Sequence, residues 1–145
     1  MPKWVDDGFT DYAMRMSQEV TIELLKIKPE KRSKNIKISQ LLSAEAKRIH
    51  TVLPPKCRTI VMDECGRHWS TVKLADSISG WMRNGGDTAF IIGGADGLDS
   101  KIKKSADEVL ALSALTLPHG LVRVLLAEQL YRAVSLIKGH PYHRK

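Results

Sequence analysis

Apolar side chains recur at three- and four-residue intervals through Trp4, Val5, Phe9, Tyr12, Ala13 and Met16, which predicts an amphipathic helix over 3–17. Val20-Thr-Ile-Glu-Leu-Leu-Lys-Ile27 instead alternates apolar and polar residues over most of its length, as a half-exposed strand does. A loop with Pro29 follows. Helical spacing returns in Ile38, Leu41, Leu42, Glu45, Ile49 and Leu53, and Pro54-Pro55 stops that helix. Thr59-Ile-Val-Met-Asp63 reads as a short buried strand. Ser70 and Thr71 offer an N-cap for a third helix through Leu74, Ile78, Trp81 and Met82, ended by Asn84-Gly85-Gly86.

Thr88-Ala-Phe-Ile-Ile92 predicts a strand running into Gly93-Gly94-Ala95-Asp96-Gly97, and Asp99 or Ser100 caps a polar helix reaching Glu108. Leu110 to Leu117 is a further strand, closed by Pro118. The longest apolar-periodic helix spans 120–138, with Leu121, Val124, Leu125, Ala127, Leu130, Val134 and Ile137 on its buried faces. Strands alternating with helices imply an α/β fold with a mostly parallel sheet and a ligand site at the carboxyl ends of the strands. No repeat or low-complexity tract interrupts the chain. Its 145 residues are the size of one domain, and residues 1–145 are expected to form one.

Composition narrows the class. Hydrophobic residues make up 43% and charged residues 27%, which sets aside disorder and disulfide scaffolds. The longest uncharged apolar run, Val109 to Leu117, falls well short of the ~20 residues that span a bilayer. An acidic pair, Asp6-Asp7, stands where a secretory signal needs an apolar core, so the reading is an intracellular, cytoplasmic protein. Cys57 and Cys65 bracket the strand at 59–63. A straight strand would hold them about 26 Å apart, so free thiols are expected.

Lys and Arg number 23 against 16 Asp and Glu, a net charge of +7. Lys26, Lys28, Lys31, Arg32, Lys34 and Lys37 crowd one stretch that Glu30 alone opposes. Such a run is ordinarily a solvated loop; with a cationic tail, it favours nucleic acid among acidic partners and predicts steeply salt-dependent binding.

The glycine loop 93–97 follows a strand and precedes a helix, where backbone amides can approach a ligand closely; a plain tight turn is the competing reading. It is neither a dinucleotide fingerprint nor a P-loop, which weighs against a phosphate-binding hydrolase. Glu128 and Arg132 lie at i,i+4 on the last helix, by default a surface ion pair, and Arg123 lies on a similar side. His140, Tyr142, His143, Arg144 and Lys145 end the chain. A ring to stack on a base beside cations for phosphate suits a nucleotide contact, with a frayed basic terminus as the alternative. No Cys or carboxylate in the tail completes a zinc site, so no metal is expected.

Five stretches in order, Met1-Pro-Lys-Trp-Val5, Ile91-Ile-Gly-Gly-Ala-Asp-Gly-Leu98, Leu112-Ser-Ala-Leu-Thr-Leu-Pro-His119, Arg123-Val-Leu-Leu-Ala-Glu-Gln-Leu-Tyr-Arg-Ala133 and His140-Pro-Tyr-His-Arg144, closely resemble the ribosomal large-subunit methyltransferase H family. These are pseudouridine N3-methyltransferases of the SPOUT class. The resemblance covers nearly the whole chain. It implies a homodimer with a C-terminal trefoil knot, S-adenosylmethionine as methyl donor, and a pseudouridine of large-subunit ribosomal RNA, not DNA, as acceptor on the assembled ribosome.

By motif position, the resemblance places the donor at Met62, Gly93 and the backbone of Leu112, Ser113, Ala114, Leu115, Thr116 and Leu117. Around the acceptor it implies His119, Glu128, Arg132, Tyr142, His143 and Arg144, with Arg132 and Arg144 on the imide anion or phosphate, Tyr142 stacking, and His143 or Glu128 as base. Two departures stand out. Family members usually open with a short apolar strand ending in Val-Gly that this sequence starts after, an expected exposed edge unless the start lies upstream. Ala95-Asp96 also replaces the family's frequent Pro-Glu. The alternative function is a catalytically silent ribosomal-RNA-binding protein, which donor binding would distinguish.

Overall fold

The computed structural model describes residues 1–33 and 35–144; Lys34, of the basic run, and Lys145, of the tail, lie outside the described residues. Helices α1 (Lys3–Arg15) and α2 (Ile38–Val52) precede strand β1 (Arg58–His68). Helix α3 (Thr71–Asn84), strand β2 (Thr88–Ile92), helix α4 (Ser100–Ser105), strand β3 (Glu108–Ala111) and helix α5 (His119–Lys138) follow. The strands form one parallel sheet in the order β2-β1-β3. Thus β1 is central, and the chain passes from one edge to the other through α4.

Alternation along β1 sorts the core into two layers. Ile60 and Met62 pack with Met16, with Leu74 and Ile78 of α3, and with Leu126, Leu130 and Val134 of α5. Val61 points the other way, joining Ile91, Ala46 and Ile49 of α2 and Ile102 of α4. Where α1 crosses α5, a Cβ on Gly8 would stand 3.2 Å from Val124 and one on Gly120 would stand 3.2 Å from Val5. Small residues at both points let the helices close up. Among the described residues no helix is long and apolar enough to cross a membrane.

Most boundaries follow the sequence pattern. Ser70 caps α3, its Oγ accepting from the amide of Lys73 at 3.1 Å, and Gly85 ends that helix at φ 75°. Ser70→Ala is expected to cost about 1 kcal/mol, read as a lower urea midpoint at unchanged m.

Three expectations are corrected. The strand expected at 20–27 is absent: that segment has no regular structure, although Val20 and Ile22 pack on one core layer and Ile27 on the other. Alternation reports which side chains are buried; a strand also needs a backbone partner. Helix α4 stops at Ser105 rather than reaching Glu108 because Asp107 is drawn onto β1, its amide donating to Thr59 O at 2.9 Å and its carboxylate accepting from Thr59 N at 2.8 Å. The last strand is Glu108–Ala111, not 110–117. Beyond Ala111, Ser113 turns the chain by accepting from the amide of Leu115 at 2.9 Å.

The remaining difference is the length of β1. After pairing with Leu110 at Met62, β1 departs through 63–66 and pairs with Leu110 again at Arg67. A Cβ on Gly66 would lie 2.7 Å from backbone atoms of Val109 and Leu110. Glycine is what allows two backbones to touch there. Cys57 and Cys65 are free thiols; burial pushes the Cys57 thiol up.

Candidate active site

A cavity of about 350 Å³ opens beside the sheet between α3 and α5. Met62, Phe90, Leu110 and Leu112 supply apolar walls, and Thr71 and Gln129 supply polar ones. The Thr71 hydroxyl donates to Gln129 Oε1 at 2.8 Å. Met62 and Leu112 were expected at a donor site; Trp69, Thr71 and Gln129 were not. Only the position of Thr71 beside a helix cap, and of Gln129 beside Glu128, hinted at them.

Gly93 lies at the end of β2, outside the cavity lining. Its missing Cβ would meet Gly97 backbone atoms and Leu98 Cγ at 2.9 Å, so the glycine is demanded by closure of its own loop. Gly97, at φ 81°, donates its amide to Gly94 O at 3.0 Å. An ion pair from Arg32 to Asp96 ties the basic segment to this loop. Ser113, Ala114, Leu115, Thr116 and Leu117 lie outside any strand or helix, which leaves main-chain groups for other partners. Thr116 Oγ1 donates to Glu64 Oε2 at 2.7 Å, fastening this segment to the excursion of β1.

On the α5 side, four of the six acceptor residues meet. Arg132 Nε donates to Glu128 at 2.8 Å, and Gln129 Nε2 donates to the same oxygen at 3.1 Å. The bond to Glu128 raises the Arg132 pKa above its ordinary value. Arg132 Nη1 stands 3.3 Å from His143 Nδ1, and its guanidinium lies 4.8 Å from the Tyr142 ring centre. A guanidinium only donates, so Nδ1 accepts and the neutral ring carries its proton on Nε2, a tautomer inferred from the bonding pattern. Tyr142 packs edge-on against Tyr131 at 4.5 Å, and burial pushes its phenol up, assisted by Glu128.

His119 and Arg144 are not part of that cluster. His119 is exposed at the first turn of α5, about 14 Å along the helix from Glu128 by the 1.5 Å rise. Arg144 is exposed at the end of the described tail. Arg123 is committed elsewhere, 3.5 Å from Asp6. Gln129 joins the two halves: it lines the cavity and also binds Glu128.

The family model described as "Predicted SPOUT methyltransferase" matches residues 1–143. The chain belongs to the SPOUT methyltransferase family. Among curated relatives, the ribosomal RNA large subunit methyltransferase H of Nitrosospira multiformis is 65% identical, covering 99% of this chain and 92% of its own. The proteins of that name from Chromobacterium violaceum and Laribacter hongkongensis are 52% and 53% identical, each covering 100% of this chain and 93% of its own. Among the described residues no three His, Cys, Asp or Glu side chains gather as metal ligands.

Proposed function

We propose that this chain is a cytoplasmic homodimer with a C-terminal trefoil knot that methylates N3 of a pseudouridine in large-subunit ribosomal RNA on the assembled ribosome. The observation that carries this reading is full-length identity of 52–65% to proteins named ribosomal RNA large subunit methyltransferase H.

S-adenosylmethionine, when bound, supplies an electrophilic sulfonium methyl. The residues suit it: apolar walls at Met62 and Leu112 can hold its adenosine, and the irregular backbone of 112–117 has amides and carbonyls for adenine. Gly93 acts indirectly, by letting the glycine loop close.

On the acceptor side, N3 must lose its imide proton and align with the methyl. Glu128 is committed to Arg132 and Gln129, and His143 Nδ1 accepts from Arg132, so the cluster presents donors rather than a base. Arg132 and the Nε2 proton of His143 stabilise the imide anion, and the proton leaves to solvent. Tyr142 supports the base, Arg144 binds phosphate, and His119 contacts RNA from the far end of α5. Arg144→Ala, or removal of 140–145, is expected to lower methyl transfer at least about tenfold with donor affinity within about twofold. Calorimetry beside the transfer assay measures both.

RNA also needs a cationic track. The Arg32–Asp96 pair and the shared packing of Ile27, Leu98 and Ile102 bring the basic segment beside α4. Lys28, Lys31 and Lys101 are exposed there. Changing these three to Gln is expected to flatten the log–log salt dependence of rRNA binding by about 2 to 3.

The deciding experiment incubates the protein and labelled donor with ribosomes lacking the modification, then maps the product by mass spectrometry. Label at pseudouridine N3 establishes the reading. Donor binding without transfer to any ribosomal nucleotide defeats it.

A further inference from the structure

Three tyrosines from distant parts of the chain form one continuous aromatic cluster. Tyr12 of α1 lies 6.2 Å from Tyr131 of α5, and Tyr131 lies 4.5 Å from Tyr142 of the tail. Each end carries a cation. The Arg15 guanidinium is 5.0 Å from the Tyr12 ring centre and 5.6 Å from that of Tyr131, while Arg132 covers Tyr142. Asp11 holds Arg15 from one turn earlier, with two hydrogen bonds at 3.1 and 3.3 Å.

The tail has little else to hold it. Gly139, left-handed at φ 72°, ends α5, and the amide of His140 still bonds Ser135 O at 2.9 Å. Past that point, among the described residues, the anchors are the Tyr142 ring and the bond of His143 to Arg132. Meanwhile Asp11 and Arg15 are 58% and 43% exposed in their side chains, and the glycines that let α1 and α5 pack tightly, Gly8 and Gly120, lie elsewhere, against Val124 and Val5. A purely structural role would leave this pair nearly dispensable.

We propose that Tyr12 and Arg15 are positioning residues: the α1 end of the aromatic cluster fixes Tyr142 and thereby sets where His143 and Arg144 meet the acceptor. This rests on the tail role given above. Neither residue touches substrate; both act through the tail. Orientation is where small displacements are costly, since a reacting geometry displaced by about 1 Å loses up to about a hundredfold in rate.

The test compares Tyr12→Leu, Tyr12→Phe and Arg15→Gln with the unaltered full chain. Release of the last residues by carboxypeptidase is followed by mass spectrometry, beside kcat on ribosomes, donor affinity and melting temperature. Tyr12→Leu is expected to speed tail release about tenfold and lower kcat about tenfold, with donor affinity unchanged. Arg15→Gln should do the same more weakly, and Tyr12→Phe, which keeps the ring, should stay near the unaltered protein. In a Tyr142→Ala background the Tyr12→Leu change should have no further effect on tail release. Unchanged tail release in Tyr12→Leu, or an equal acceleration in the Tyr142→Ala background, overturns the proposal. Tail digestion needs no ribosome, so it separates failure of the clamp from failure of the acceptor assignment.

Discussion

Gly66→Ala is expected to lower the melting temperature by about 10 °C or more, corresponding to about 3 kcal/mol at this chain size. The Cβ would sit 2.7 Å from carbonyl carbon and oxygen atoms of Val109 and from the carbonyl carbon of Leu110. A flexible side chain can swing away from such a contact. Here the obstacles are backbone atoms of β3, so relief requires β1 and β3 to separate where both bound the cavity. Donor affinity should therefore fall along with stability. Gly94→Ala is the matched control, with nothing within 4 Å of its Cβ and a φ outside the left-handed region, and should change stability by less than about 1 kcal/mol. Thermal unfolding by circular dichroism reads both. A Gly66→Ala protein melting within 2 °C or so of the unaltered one would mean that β1 and β3 do not approach this closely at Gly66.

That close approach shows why one part of the fold was legible and another was not. The sequence pattern placed both ends of α3 within a residue or two, because Ser70 and Gly85 are local punctuation whose effect is complete within one turn. It also assigned Ile60, Val61, Leu130 and Val134 to the core, because burial of a face leaves a repeating trace, but it put the exposed Leu125 on that face and passed over the buried Leu126. Pairing leaves no such trace. Residues 20–27 alternate without entering the sheet, and Arg67 and His68 pair with β3 although nothing apolar marks them. Gly66 alone signalled the close approach, and a single glycine in a polar stretch reads as a turn.

The candidate site divides along the same line. Glu128 and Arg132 were visible as an i,i+4 pair, and the tail as a concentration of His, Tyr and Arg. That the two meet depends on Gly139 turning the chain back so that His143 reaches Arg132, which no local spacing encodes. Thr71 and Gln129 form a bond across α3 and α5 that sequence separation hid entirely. The family resemblance supplied Met62, Gly93 and residues 112–117 together. The structure adds a division of labour within that group: Met62 and Leu112 face a cavity, whereas Gly93 supports the loop beside it.

Arg132→Met is expected to reduce kcat for methyl transfer by about a hundredfold or more while leaving donor affinity within about twofold. One guanidinium makes three contacts, to Glu128 at 2.8 Å, to His143 Nδ1 at 3.3 Å and over the Tyr142 ring at 4.8 Å. Removing it takes away the charge that the proposed function sets against the developing imide anion. It also frees the tail and abolishes the bond that fixes the His143 tautomer, so His143 no longer presents a committed donor. Glu128, with its side chain 14% exposed, is left with Gln129 alone, and an uncompensated, mostly buried carboxylate costs about 1–3 kcal/mol. Stability should fall by that amount, which keeps the protein folded at assay temperature. Arg132→Lys separates charge from geometry: an ammonium restores the positive charge but cannot donate in a fork to Glu128 and His143 at once. Lysine should thus recover most of the lost stability and less than about a tenth of the lost rate. Full recovery of kcat by lysine would reduce the role of Arg132 to charge alone, and would return His143 to consideration as the proton acceptor.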